Sequence, residues 1–292
     1  SWWYKVIMCL FPVVLTKESR VRGYDGSSFT RMVPCGKCID CLQKRRNDWV
    51  FRIKQELKVS SSAFFVTLTY NDENLPRDEN DNPCVEIKDV QLFFKRLRKK
   101  IQPHKIRYFL TSEYGGNTFR PHYHFILFNF PHEKYDINKV LRETWKNGFI
   151  MSDKVTHGRI HYVTKYCMQD ADLPDILRKP FMTCSRRPAI GANYMSEKIK
   201  RYHKSNLETT IVTNGYRYRL PKYYQDRIFD DYEKMAIKIR NLEYSRKKAK
   251  EFYEKYKDYD NLAMKENRPS MYVEFQMKKI RQLAKQFKKD NL

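Results

Sequence analysis

The sequence contains no glycine-rich phosphate loop of the form G-x-x-x-x-G-K-[ST]; its single Gly-Lys pair, Gly36-Lys37, runs into Cys38. That excludes a built-in ATP-driven motor, so any helicase the chain works with is a separate protein. No H-E-x-x-H occurs, which argues against a helix-borne zinc protease site. There is no internal repeat. No run is long enough to cross a bilayer: residues 6–15 are apolar apart from Pro12, but the stretch is too short and lacks a small-residue cleavage site after it, so it reads as a packed strand or loop. The chain starts with Ser rather than Met, as a processed or partial chain does.

Acid is scarce relative to base. Fifty-eight Lys plus Arg against 34 Asp plus Glu give a net charge of +24, a balance that favours polyanions and predicts strongly salt-dependent binding. DNA is the natural partner, and no membrane is expected. Aromatic residues make up 15% of the chain, enough ring faces to stack unpaired bases, although most of these rings are expected in the core. The seven cysteines are an odd number in a chain without an export signal, which points to a reducing cytoplasm and against disulfides.

What is present reads as one enzyme domain with appendages. A length of 292 residues and 41% hydrophobic content support a globular core. Residues 42–59 are helical by the spacing of Trp49, Ile53 and Leu57, and residues 64–70 alternate as a strand. Residues 87–101 form a second helix with the apolar stripe Val90, Phe93, Phe94 and Leu97. Asp136 reads as the N-cap of a third helix that Asn147-Gly148 ends, and residues 149–151 as a further strand. Beyond Leu220 the composition turns to lysine, glutamate and tyrosine without glycine, and Pro269 divides two helices. The expected fold is α+β, a central antiparallel sheet of about five strands with helices on its outer face. The layout predicts a Cys-containing N-terminal segment over 1–60, a core over 61–222 and a basic helical appendage over 223–292.

The chemistry-bearing stretch is Glu113-Tyr-Gly-Gly-Asn-Thr-Phe-Arg-Pro-His122-Tyr-His124, followed by the apolar run Phe125 to Phe128. Side chains two apart on a strand share a face, so both imidazoles can point at one ion. Gly115-Gly116 permit a turn that brings the Glu113 carboxylate alongside them. Two imidazoles and a carboxylate suit Mg²⁺ or Mn²⁺, and nothing in the set excludes zinc. Downstream, Tyr162 and Tyr166 are spaced i,i+4 with Lys165 beside them; on a helix over residues 161–169 both phenols share one face. Tyrosine is a weak nucleophile at its ordinary pKa near ~10, but attack on a polarised phosphodiester beside a cation is a recognised covalent route.

Three segments in this order, Phe65-Val-Thr-Leu-Thr-Tyr70, Arg120-Pro-His-Tyr-His-Phe-Ile-Leu-Phe128 and Tyr162-Val-Thr-Lys-Tyr166, resemble the three motifs of the HUH endonucleases that start rolling-circle replication. The paired tyrosines, Val33-Pro-Cys-Gly-Lys-Cys-Ile-Asp-Cys41 and Cys184-Ser-Arg-Arg-Pro-Ala-Ile-Gly191 are similar to the initiators of gokushovirus-type microviruses, small tailless single-stranded DNA phages. The resemblance covers roughly residues 30–225. It implies His122, His124 and Glu113 as metal ligands, Tyr162 and Tyr166 as nucleophiles and Lys165 as the lysine between them. It further implies an origin nick that leaves a 5′-phosphotyrosine and a priming 3′ hydroxyl, later rejoined without a nucleotide cofactor. The setting would be the host bacterial cytoplasm, with host helicase and polymerase as partners.

Cys35-x-x-Cys38-x-x-Cys41 is dense enough to ligate a structural zinc ion, for which Cys9 is the candidate fourth ligand; the plain alternative is three reduced thiols in a loop entering a helix. Two other readings stand beside the main one. The first is another HUH enzyme, such as a plasmid initiator, relaxase or transposase. The second is a basic, zinc-stabilised nucleic-acid-binding protein without catalysis, which would leave the alignment of Glu113, His122 and His124 unexplained.

Overall fold

A computed structural model describes residues 13–17, 29–116, 118–165, 174, 176–213 and 215–289. The described residues form two compact units, one of residues 41–194 and the other of those before 41 and after 194. The first unit contains the three sequence motifs.

Its frame is built from the strands β3 (Ala63–Tyr70), β4 (Arg107–Tyr114), β5 (Pro121–Phe128), β6 (Gly148–Lys154) and β7 (Met182–Cys184). They form one antiparallel five-stranded sheet in the order β6-β3-β5-β4-β7. The histidine strand β5 lies at the centre, paired with β3 on one side and β4 on the other. A central strand is buried on both faces, which is why residues 125–128 read as a continuous apolar run.

Alternate residues of β5 enter two separate cores. Tyr123, Phe125 and Leu127 pack with Val90, Phe93, Phe94 and Leu97 of α2 (Ile87–Lys100) and with Val140 and Leu141 of α3 (Ile137–Thr144). Ile126 and Phe128 pack with Val50 and Ile53 of α1 (Ile39–Leu57) and with Ile160 and Val163 of α4 (His157–Lys165). Helices therefore cover both faces, where the sequence pattern placed them on one. The amphipathic stripes of α1 and α2 were legible, but a stripe does not say which side of a sheet it meets.

Local chemistry sets the helix starts. The Asp136 carboxylate accepts from the Lys139 amide at 2.9 Å and caps α3. Gly148 opens β6 at φ +150°, and a Cβ there would lie 2.3 Å from the Thr69 carbonyl oxygen, so only glycine fits. On the other face, the buried Glu56 of α1 pairs with Arg107 and accepts the Gly191 amide at 2.8 Å, which ties α1 to β4 and to the loop beyond β7.

The second unit holds two hairpins and four helices among the described residues. β1 (Val13–Lys17) pairs with β2 (Phe29–Val33), and β8 (Thr210–Thr213) with β9 (Tyr216–Arg219). The helices are α5 (Glu197–Ser205), α6 (Lys222–Ile228), α7 (Asp231–Lys265) and α8 (Met271–Lys289). α7 starts in a capping box between Asp230 and Glu233, and the chain breaks at Pro269 as expected. No described helix is long and apolar enough to cross a membrane.

Candidate active site

The β4–β5 hairpin builds the site. Its register places Glu113 opposite His122 and Thr111 opposite His124. The turn closes through the Gly115 amide on the Arg120 carbonyl at 2.9 Å. Gly115 lies against the His122 ring: an added Cβ would sit 3.2 Å from its Nε2, tight enough to displace it by a few tenths of an ångström.

On the other side, β3 places Thr67 opposite His124 and Thr69 opposite His122. Each threonine hydroxyl meets the Nδ1 of its histidine, at 3.0 Å for Thr67 and 2.9 Å for Thr69. These bonds orient both imidazoles so that the Nε2 atoms face the site, the outer-shell arrangement that fixes ring orientation at metal centres. His124 Nε2 lies 2.5 Å from Glu113 Oε1. Burial pushes the His122 pKa below its ordinary value, and the Glu113 charge opposes that shift. A neutral imidazole is the form that binds metal.

The residues fit a divalent ion by donor chemistry and by register: two nitrogens and one carboxylate converge from adjacent strands. The trio is open, because among the described residues the group of three such donors that closes to within 4.8 Å is Cys35, Cys38 and Cys41.

Tyr162 comes to the same place from α4. Ile160, Val163 and Thr164 face the core, and Thr111 donates to the Val163 carbonyl at 3.2 Å, fastening the helix over β4. The half-buried Tyr162 ring stands edge-on to the His124 ring, centroids 5.3 Å apart, and 5.7 Å from Phe65. The Lys165 ammonium lies 5.8 Å from the Tyr162 ring centroid. The structure thus brings Glu113, His122, His124, Tyr162 and Lys165 together. Tyr166 lies outside the described residues, as does the continuation of the helix past Lys165.

The sequence reading did not single out Thr67, Thr69, Thr111 or Gly115. The two threonines alternate in step with the two histidines, and that matched period was the available signal.

A second donor group sits at the start of α1. The sulfurs of Cys35, Cys38 and Cys41 lie within 4.8 Å of one another, and the Cys38 amide donates to the Cys35 Sγ at 3.2 Å. This group of three thiols can bind a metal such as zinc. Gly36 supplies the positive φ of +76° that the tight turn uses. Cys9 lies outside the described residues.

Residues 63–171 match the family model that describes replication-associated proteins of the ORF2 type. The replication-associated protein ORF4 of Chlamydia phage 1 is 30% identical over 225 residues, 68% of this chain and 54% of that protein. The replication-associated protein VP4 of Bdellovibrio phage phiMH2K is 30% identical over 217 residues, 66% of each chain. The chain belongs with the replication-associated proteins of microviruses. A further relative, the replication-associated protein ORF2 of Spiroplasma virus 4, is 27% identical over 215 residues, 67% of each. The chain spans about half to two thirds of the length of these curated relatives. No solved structure matches it. The stretch matched by the family model contains β3, the histidine hairpin and the tyrosine helix, so the family likeness and the site geometry coincide.

Proposed function

We propose that this protein is a replication initiator that nicks the phage origin strand by tyrosine transesterification. The observation that carries the reading is the Tyr162 ring 5.3 Å from that of His124, whose Nε2 is bonded to Glu113. A phenol, two oriented imidazoles and a carboxylate in one place are the parts for phosphoryl transfer to tyrosine. The segment over 61–222 would house the chemistry.

In this mechanism the Tyr162 oxygen forms a bond to the phosphorus while the bond from phosphorus to the 3′ oxygen breaks. The phenol proton passes to solvent, and the departing 3′ oxygen is protonated from water. Lys165 offsets negative charge developing on the phosphoryl oxygens. Glu113, His122 and His124 would hold Mg²⁺ or Mn²⁺, which when bound supplies Lewis-acid polarisation of the phosphate. The product is a 5′-phosphotyrosine with a free 3′ hydroxyl that primes synthesis. Tyr166 would serve the second transfer, after which the original strand is rejoined. The bond energy stays in the phosphotyrosine, so rejoining needs no nucleotide cofactor. Single-stranded origin DNA is the substrate, host helicase and polymerase are the partners, and the host cytoplasm is the setting. We further infer that the cysteine trio holds structural zinc with Cys9 as fourth ligand, because thiols this close suit one tetrahedral ion with Zn–S bonds of about 2.3 Å.

The test is a denaturing gel of labelled single-stranded phage-origin DNA incubated with protein and Mn²⁺, with and without chelator. Wild type, Tyr162→Phe, Tyr166→Phe and the double variant run side by side. The expected result is a chelator-sensitive, protease-sensitive shifted band absent from the double variant. Tight DNA binding without any band would establish instead a non-catalytic nucleic-acid-binding protein. Metal analysis of the purified chain, with a Cys38→Ser variant, tests the zinc: loss of bound zinc in the variant is expected, and a metal-free wild type overturns it.

A further inference from the structure

A cleft of about 510 Å³ opens at the end of the sheet where β3 begins and β6 ends, between the last turns of α1 and the first turn of α4. Its charge is one-sided. Lys54, Lys154, His132 and His157 line it, and no carboxylate does among the described residues. Neither lysine is ion-paired with a described carboxylate, although lysines elsewhere are, such as Lys100 with Glu143 at 2.8 Å. The Lys54 ammonium instead rests 2.9 Å from His157 Nε2, a contact that places it beside the amide end of α4 without neutralising it. Thr156 caps that helix, accepting the Arg159 amide at 3.3 Å. Beside the cations, the Phe64 and His132 rings meet edge to face at 5.8 Å and give the cleft an apolar wall.

The cleft and the proposed nucleophile share two elements. His157 and Tyr162 are five residues apart on α4, roughly 7.5 Å along the helix axis at 1.5 Å per residue. On β3, Ala63 lines the cleft, and Phe65, which touches Tyr162, lies two residues on, roughly 6.6 Å at strand spacing. Both paths separate cleft and tyrosine by about two nucleotide steps of ~3.4 Å.

We propose that this cleft is a phosphate subsite that holds the backbone of the single strand about two nucleotides from the phosphate attacked by Tyr162. It rests on the nicking function proposed above, and it adds the positioning of the strand: a phosphate fixed by Lys54 and Lys154 sets which bond reaches the phenol. Phosphate contacts of this kind orient a strand without reading its sequence.

The test is the salt dependence of binding. Full-length protein is titrated onto fluorescein-labelled oligothymidylate over a series of potassium chloride concentrations, using wild type, Lys54→Ala, Lys154→Ala, Lys54→Arg and, as a control on the opposite face, Lys99→Ala. Each neutralised phosphate contributes about 0.7 to the slope of log K against log salt for a single strand. The expected result is a slope flattened by about that amount in Lys54→Ala and in Lys154→Ala, and unchanged in Lys54→Arg and Lys99→Ala. Wild-type slopes in both alanine variants, or an equal flattening in Lys99→Ala, overturn the subsite. The adduct gel separates the two claims. Flattened slopes without any adduct leave the subsite standing and remove the nicking function, while an adduct with unchanged slopes removes the subsite alone.

Discussion

The two faces of β5 place tyrosine in opposite chemical roles. On the α2–α3 side, Tyr123 is fully buried, with its hydroxyl 2.9 Å from that of Tyr70, which in turn donates to Asp89 at 2.8 Å. Burial pushes the pKa of both phenols far above the ordinary value, so neither forms a phenolate near neutral pH. On the α1–α4 side, Tyr162 is half-buried, with an imidazole at its ring and an ammonium close by. The lesson is that a tyrosine's environment, and not its presence in a motif, decides between packing and reactivity.

The comparison breaks most sharply at the hydroxyls themselves. Tyr162→Phe is expected to lower the rate of adduct formation by on the order of 10³-fold or more, while Tyr123→Phe leaves it near wild type, both read on the denaturing gel. An equal loss in the two variants would mean that the faces do not differ as described.

Next in size is packing. Phe125→Ala empties a fully buried site among Phe93 and Phe94 and should cost about 3–5 kcal/mol in denaturant melts. His122→Ala, on the other face, should cost only about 1 kcal/mol. A histidine variant as destabilised as the phenylalanine variant would make His122 a core residue.

A smaller effect sharpens the active face. Thr67→Val keeps the shape beside His124 and removes the hydroxyl on Nδ1, so the affinity for Mn²⁺ should fall by about 10–100-fold with the fold intact, as titration calorimetry would measure. Unchanged affinity would reduce the threonine to a packing residue. Smallest is Tyr70→Phe, which breaks the chain to Asp89 and should cost about 1 kcal/mol of stability without altering nicking.

Much of the site was legible because it follows short periods. His122 and His124 share a face by the two-residue repeat of a strand, and the glycines after Tyr114 allow the return that sets Glu113 opposite His122. The stripe Val90, Phe93, Phe94 and Leu97 proved buried residue for residue. Other features carry no local signal. β7 is three residues long, too short for a periodic pattern, yet it pairs with β4 at the sheet edge. The roles of Thr67 and Thr69 depend on strand register, and the charge of the α1–α4 cleft gathers residues from four separate stretches of chain. Such partners become visible only when the strands are paired.

The most direct measurement is the identity of the modified peptide. Trypsin cuts after Arg159 and after Lys165, so Tyr162 and Tyr166 fall in separate peptides, residues 160–165 and 166–178. After one round of nicking, nuclease trimming and digestion, mass spectrometry is expected to find the nucleotide on peptide 160–165. A nucleotide on the peptide that carries Tyr123, or on no tyrosine at all, would contradict the placement of the nucleophile on the α4 face.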